Sequence, residues 1–394
     1  MLTGKTILVG VTGGIAAYKT AELVSRLKKA GANVHVLMTK NATHFVNPIT
    51  FETLSGNKAL IDTFDRNFIY SVEHVALAKV ADAVIIAPVT ANTIAKLNYG
   101  MADNMLTTTV LACNCPKICA PAMNTGMLNN PATKENIDGL KKQGWTIVES
   151  QSGYLACGDV GQGKMEEPWV LFEYVRRACS SQDLLGKKVL VTGGATGEAI
   201  DPVRYITNKS TGKMGIEIAK MAWMRGADVT LVHGLCKEQL PVGVRTVAVT
   251  SAQEMFEAVE QLYNDYDFII KSAAVADYRP STVHQEKMKK KEGSMVIEME
   301  RTTDILSYLG KHKKEGQFLC GFSMETENLI ENSKQKLDKK GADLIVANNL
   351  RDEGAGFATS TNKVTFITKE QVVELPLMEK WQVANAILDV ALMK

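Results

Sequence analysis

The sequence predicts an α/β protein of two doubly wound, parallel-sheet domains, and three observations carry that reading. "KTILVGVTGGIAAYKTAELVSRLKKAGANVHVLMTK" reads as strand, glycine turn, amphipathic helix and second strand. "KKVLVTGGATGEAIDPVRYITNKSTGKMGIEIAKMAWMRGADVTLVHG" repeats the plan, with an insertion between the glycine turn and the helix. Between them lies "ACSSQDLLGKK", Ala178 to Lys188, where a helical pattern ends and polar residues precede a fresh strand. The expected domains are 1–182 and 186–394.

Each element follows from a local pattern. "TILVGV" opens as a buried strand, the helix is expected from Ile15, and Gly31 stops it. Ala83 to Pro88 is a second apolar run, and it meets Thr90, Asn92 and Thr93 before a helix-like segment. An apolar helix then leads through "CNCPKIC" into the short strand "KICAPA". In the second half a helix is expected near Ser210, and strands at "DFIIKSAAV", "MVIEME", "FLCGFS", "DLIVANN" and "KVTFIT" precede a closing helix from about Glu379.

Composition narrows the function classes. The 394 residues are 45% apolar and 22% charged, a globular composition with sizeable cores. The balance of 45 Lys+Arg against 43 Asp+Glu, net +2, gives no global case for nucleic acid or membrane partners. No apolar run approaches a spanning helix and the start has no leader-like pattern, so a cytoplasmic protein is expected. Seven cysteines, an odd number, argue for reduced thiols, with Cys113, Cys115 and Cys119 read as core thiols rather than metal ligands.

Ligands of open α/β sheets bind beyond the carboxyl ends of the strands. "GVTGGIAAYK" supplies a Thr12 hydroxyl, close backbone approach at Gly13 and Gly14, and a helix start suited to phosphate. The dinucleotide spacing G-x-G-x-x-G is absent, and the second strand ends at Thr39 rather than an acid. Thr39 with Thr90, Asn92 and Thr93 would close the site with neutral donors, which suits a mononucleotide such as FMN. "STGKMG" in the second half fails the P-loop spacing, and leaves an anion seat at its helix start. Asp277 follows a strand, the lysine-rich "HQEKMKKKEGS" follows it, and Lys336 and Lys340 share a helix face. An acid beside lysines suits a nucleoside triphosphate with a divalent cation, whereas on pattern alone Lys336 and Lys340 read as an ordinary exposed helix face.

"PVTANT", "PAMNTGM" and "ACGDVGQGKM", together with His74, resemble the homo-oligomeric flavin-containing cysteine decarboxylases. With the second half included, the whole chain resembles the bacterial bifunctional phosphopantothenoylcysteine decarboxylase/phosphopantothenate-cysteine ligases. The resemblance implies two Rossmann-like domains, the first flavodoxin-like, and two steps of coenzyme A biosynthesis. The ligase would activate 4'-phosphopantothenate with CTP as an acyl-cytidylate that cysteine then attacks, and the decarboxylase would convert the product to 4'-phosphopantetheine. FMN and Mg2+ are the implied cofactors. FMN oxidation of the substrate thiol to a thioaldehyde provides the electron sink for loss of CO2.

By the same resemblance His74 stands at the catalytic centre, Asn124 holds the substrate carboxylate, and Cys157 donates a proton in the final reduction. Neutral Asn124 suits this task, since an arginine would stabilise the carboxylate that must leave. Asn208 would stabilise the acyl-cytidylate. Ser272, Ala273, Asp277, Lys287, Lys289, Asp304, Ile305, Phe322, Lys336 and Lys340 would contact CTP or, for Asp277, its metal. "RTTDIL" places Thr303 where the family shows proline, and Thr303 is expected to cap the next helix. The resemblance further implies decarboxylase trimers, up to a dodecamer, with dimerising ligase domains. An NAD(P)-dependent reductase is disfavoured by the missing glycine fingerprint, and a non-catalytic flavoprotein regulator by the retention of His74, Asn124 and Cys157.

Overall fold

The computed structural model describes residues 2–65, 72–155, 158–289, 295–325, 327–349 and 359–394. The chain divides into two compact units, Met1–Ser180 and Ser181–Lys394.

In the first unit the order is β1 (Thr6–Val11), α1 (Ala17–Lys29), β2 (Asn33–Met38), α2 (Pro48–Ser55), α3 (Glu73–Val80), β3 (Ala83–Val89), α4 (Ala91–Asn98), α5 (Met105–Ala112) and β4 (Lys117–Pro121). It continues with α6 (Thr125–Asn129), α7 (Pro131–Lys142), β5 (Thr146–Ile147), β6 (Gln151–Tyr154), β7 (Val160–Lys164) and α8 (Pro168–Ala178). The main sheet runs β2-β1-β3-β4-β5, all parallel, a flavodoxin-like order. Both faces are covered, so its strands are apolar on both sides. Ile7, Val9 and Val11 of β1 join one core with α1, α2 and α8, while Leu8 joins the other with α3, α4, α5 and α7. Cys113 and Cys119 are buried and Cys115 is partly buried against that second core, as small apolar side chains. Among the described residues no cluster of cysteines, histidines and acids could hold a metal.

The second unit follows β8 (Lys188–Gly193), β9 (Gly197–Ala199), β10 (Tyr205–Thr207), α9 (Lys213–Met224), β11 (Asp228–His233), β12 (Arg245–Ala248), α10 (Ala252–Leu262), β13 (Phe268–Lys271) and β14 (Tyr278–Pro280). After these come β15 (Met299–Arg301), α11 (Ile305–His312), β16 (Phe318–Glu325), α12 (Leu329–Lys340), β17 (Leu344–Asn349), β18 (Thr361–Asn362), β19 (Thr365–Ile367), β20 (Val372–Glu374), β21 (Met378–Glu379) and α13 (Lys380–Leu392). Its sheet runs β12-β11-β8-β13-β16-β17-β19-β20. The first six strands are parallel in the Rossmann order and the last two run antiparallel at the edge.

Several expected boundaries shift for local reasons. The helix expected from Ile15 begins at Ala17, because Gly14 N-H first closes a turn onto the Thr12 carbonyl at 2.9 Å. The helix expected near Ser210 begins at Lys213, since Gly212 holds a left-handed φ of 85° that an α-helix cannot include. Of "MVIEME", only Met299 and Glu300 enter a strand, and β15 pairs with β14 outside the main sheet. Asp304, not Thr303, caps α11, its carboxylate accepting the Ser307 N-H at 2.9 Å. A caplike Thr and Asp in succession leave the choice to geometry, and Asp304 stands at the position from which a side-chain oxygen reaches the third helical amide.

Candidate active sites

The first unit changes winding direction between β1 and β3, and their carboxyl ends meet one wall of a cavity of about 530 Å³. Gly13, Gly14 and Thr90 line it. Gly13 is required by close approach, because a Cβ there would stand 2.6 Å from the Asn41 Cβ. At Gly14 nothing lies nearer than 3.9 Å, so that backbone faces open space.

Thr12 is not the ligand donor that the sequence suggests. It is buried, its hydroxyl donates to the Pro88 carbonyl at 2.8 Å, and it accepts the Thr90 N-H at 3.0 Å. The hydroxyl therefore welds the loop after β1 to the end of β3. Thr90 caps α4 by accepting the Thr93 N-H, and their hydroxyls lie 3.2 Å apart. Thr93 is buried behind Thr90, Asn92 is exposed, and Thr39 caps the turn after β2 by accepting the Ala42 N-H at 3.3 Å. Thr39, Asn92 and Thr93 do not line the cavity.

The opposite wall is built by the loop after β4 and the β6–β7 hairpin. Asn124 caps α6, its carbonyl oxygen accepting the Gly126 N-H at 2.7 Å, and its amide donates to Asp159 at 3.2 Å. Strand β7 lies flat on this loop. A Cβ at Gly163 would stand 2.1 Å from the Met123 carbonyl oxygen, while Thr125 donates to the Gln162 carbonyl at 2.8 Å. Gly161 and Gly163 of "GDVGQGKM" thus serve close contact.

At the far end of β7 the cavity gains two cations that the sequence reading missed, Lys19 and Lys164. Glu167 bridges them, at 2.7 Å from Lys19 and 3.5 Å from Lys164. The Lys19 hydrogen bond, against opposing burial, holds the Glu167 carboxyl below its usual range. Apolar Ile15, Tyr18, Met123, Met127 and Met165 complete the lining. An apolar cleft with open glycine backbone on one wall fits a planar cofactor bearing one anionic tail, and the cations at the far end of β7 are suited to a second anion. His74 is half-buried in the first turn of α3 and is not among the residues lining the cavity. Cys157 lies outside the described residues.

The second unit has a cavity of about 480 Å³ lined by Asp277, Asp304, Ile305, Phe322, Lys336 and Lys340, together with Lys271 and Arg301. Lys336 and Lys340 are not an exposed helix face. Lys336 is half-buried and donates to the Phe322 carbonyl at 2.9 Å, and Lys340 pairs with Asp304. A helix packed against buried β17 turns these two positions toward the cavity.

Lys271 at the end of β13 is a lining cation that the sequence reading missed. Burial, then repulsion from Lys336, pulls its pKa down to about 8. Burial also lowers Lys336, with Glu325 opposing. For Asp304 burial pushes the carboxyl up, but Lys340 and the Ser307 N-H outweigh it and leave it below its ordinary value. Asp277 is exposed and lines the same cavity.

Other expected residues lie elsewhere. Ser272 and Ala273 donate their N-H groups to the Thr192 carbonyl and hydroxyl, both at 3.2 Å, at the switch point between β8 and β13. Asn208 is exposed and donates to the Ala274 carbonyl at 3.1 Å. None of these lines the cavity, nor do exposed Lys287 and Lys289. Residues 290–294 of the lysine-rich segment lie outside the described residues.

Comparison with known proteins matches both units. The family described as Flavoprotein matches residues 1–180, and the DNA/pantothenate metabolism flavoprotein C-terminal domain matches residues 184–393. The Coenzyme A biosynthesis bifunctional protein CoaBC of Bacillus subtilis (strain 168) is 47% identical over 393 residues, covering 98% of this chain and 97% of the relative. That of Vibrio vulnificus (strain YJ016) is 43% identical over 389 residues, covering 98% of this chain and 97% of the relative. The crystal structure of the C-terminal domain of a Coenzyme A biosynthesis bifunctional protein CoaBC aligns with a TM-score of 0.47 and 47% identity, covering 54% of this chain and 97% of that one.

Proposed function

The chain belongs to the family of coenzyme A biosynthesis bifunctional proteins, and from that premise we propose that it performs two consecutive steps. Unit 2 joins 4'-phosphopantothenate to cysteine at the expense of CTP, and unit 1 decarboxylates the resulting 4'-phosphopantothenoylcysteine to 4'-phosphopantetheine. Residues 1–182 are assigned to the decarboxylase and 186–394 to the ligase. The observation that carries the reading is the pair of chemically different cavities, each at the carboxyl edge of its sheet: one apolar with a cationic end, one crowded with lysines.

In the ligase cavity, Lys336 and Lys340 hold fixed positive charge where a triphosphate would lie, and such preorganised charge stabilises phosphate as it leaves. Asp277 would hold Mg2+, and Lys287 or Lys289 would add charge from the neighbouring segment. Asn208, on its exposed loop beside Ala274, would steady the acyl-cytidylate.

In the decarboxylase cavity, Gly13, Gly14 and Thr90 would hold FMN. When bound, the flavin supplies the oxidation and re-reduction that direct carboxylate loss lacks. Asn124 would orient the carboxylate with its amide without offsetting its charge. His74 keeps its proposed place at the catalytic centre, and Cys157 its proposed role as proton donor in the final reduction.

The substrate's length supports this orientation. From Asn124–Asp159 to Lys164, the five residues of β7 span roughly 16 Å. Extended 4'-phosphopantothenoylcysteine matches about four residues of backbone, roughly 14 Å. Lys19 and Lys164 are therefore assigned to its phosphate while Asn124 takes its carboxylate.

We assign the protein to the cytoplasm as a homo-oligomer, with trimeric decarboxylase units and dimeric ligase units. Ile15 and Tyr18 at the first cavity are 59% and 61% exposed, apolar surface that assembly would cover. The test combines the absorption spectrum of the purified protein, native and after denaturation, with assays of pyrophosphate and CO2 release. Released FMN and CTP-dependent formation of 4'-phosphopantetheine are expected. Absence of flavin after reconstitution with FMN would overturn the decarboxylase assignment, and absence of pyrophosphate release would overturn the ligase assignment.

A further inference from the structure

The hairpin β9–β10 closes through residues 200–204, and its turn holds a buried, heavily hydrogen-bonded carboxylate outside either cavity. The Asp201 side chain has no exposed surface. It accepts the N-H groups of Val203 and Arg204 at 2.9 and 2.8 Å, and the Arg204 guanidinium through Nε at 2.9 Å and Nη2. The turn alone would account for those contacts.

The remaining bonds reach a segment far along the chain. Asp201 also accepts the Met288 N-H at 3.2 Å, and Arg204 donates to the Met288 carbonyl at 3.0 Å. The His284 N-H meets the Ile200 carbonyl at 3.0 Å. One ion pair therefore grips both polar backbone groups of the residue between Lys287 and Lys289. Such a double grip is expensive to break, because it would leave a buried carboxylate short of donors.

We infer that Asp201 and Arg204 are positioning residues of the ligase, holding Met288 so that Lys287 and Lys289 present their charge to bound CTP. The inference rests on the proposed role of those lysines. Neither Asp201 nor Arg204 lines the lysine-rich cavity, so they act on it through the segment. A lysine pair on a free segment would spread its charge over many conformations, whereas a fixed point between the two limits that loss.

The test is a double-mutant cycle on the full chain, reading ligase kcat/KM for CTP. Asp201→Asn puts an amide donor against existing donors, and is expected to lower kcat/KM about tenfold, chiefly through KM. In a Lys287→Gln/Lys289→Gln background the same change should cost less than about twofold. Arg204→Lys, which keeps the charge but loses the fork, should follow the same pattern.

Trypsin cleavage after Lys287 and Lys289 of the native protein should accelerate several-fold in both single variants. Decarboxylation by the same chain should be unchanged, reporting on folding and concentration. Equal losses in both lysine backgrounds would overturn the inference and make the ion pair purely structural. Lysine variants with unimpaired ligation would overturn both the inference and the lysine role on which it rests, so the two failures are distinct.

Discussion

Raising the pH from 7 to 9.5 should weaken CTP binding through Lys271. With a pKa of about 8, this lysine is mostly charged at neutral pH and mostly neutral at the upper limit. If the ammonium is what engages the phosphates, the KM for CTP rises close to tenfold per pH unit above 8, or about 30-fold overall at most. Lys271→Met should raise the KM already at pH 7 and flatten that alkaline limb, while decarboxylation by the same chain continues unaffected.

Unligated stability has the opposite pH dependence. Folding lowers this pKa from 10.5, so the penalty on the charged form is fully present below about 8 and fades as pH rises toward 10.5. Between those values the unfolded chain binds more protons, and stability rises with pH by at most about 3 kcal/mol. The assay is ligase kinetics across this pH range, paired with denaturant unfolding of wild type and Lys271→Met. A flat wild-type KM profile, or a variant that keeps the alkaline limb, would refute the reasoning.

Gly13→Ala should lose FMN, because a Cβ placed 2.6 Å from the Asn41 Cβ forces a shift costing about 1–3 kcal/mol. Gly14→Ala, with nothing nearer than 3.9 Å, should retain the folded stability of wild type, and equilibrium unfolding with flavin absorbance separates the two. Asn124→Asp should lower decarboxylation at least about 100-fold, since it sets like charges together at the substrate carboxylate and beside Asp159. Lys19→Gln and Lys164→Gln should raise the KM for phosphorylated substrate while leaving the rate on its dephosphorylated form unchanged; loss of flavin in either variant would instead assign those cations to FMN.

The layered fold was legible because its signals are redundant. Continuous apolar strand runs, glycine turns and amphipathic helices recur in both halves, so a shift of two residues at Ala17 or three at Lys213 alters no topology. Short hairpins were less legible. β15 pairs only Met299–Arg301, too few residues to set a pattern. At the sites, side-chain partners were less legible than the loops that carry them. The Thr12 hydroxyl seemed free until the Pro88 carbonyl was found to take it. Lys271 was hidden at the end of the buried run "FIIK", and Lys19 within an ordinary amphipathic helix, because their partners are distant in sequence.

The lysines around the second cavity also change what its nucleotide does for the protein. Beyond burial, Lys336 and Lys340 both depress Lys271, and Asp304 and Asp277 oppose them, so a bound polyphosphate would relieve what repulsion is left among these cations. A polyphosphate that binds only the folded state acts as a missing structural part. At 100 times its dissociation constant it would add about 2.7 kcal/mol of stability. Nucleotide supply in the cell would then govern the lifetime of this half of the chain as well as its turnover, and starvation for CTP would expose it to unfolding and proteolysis.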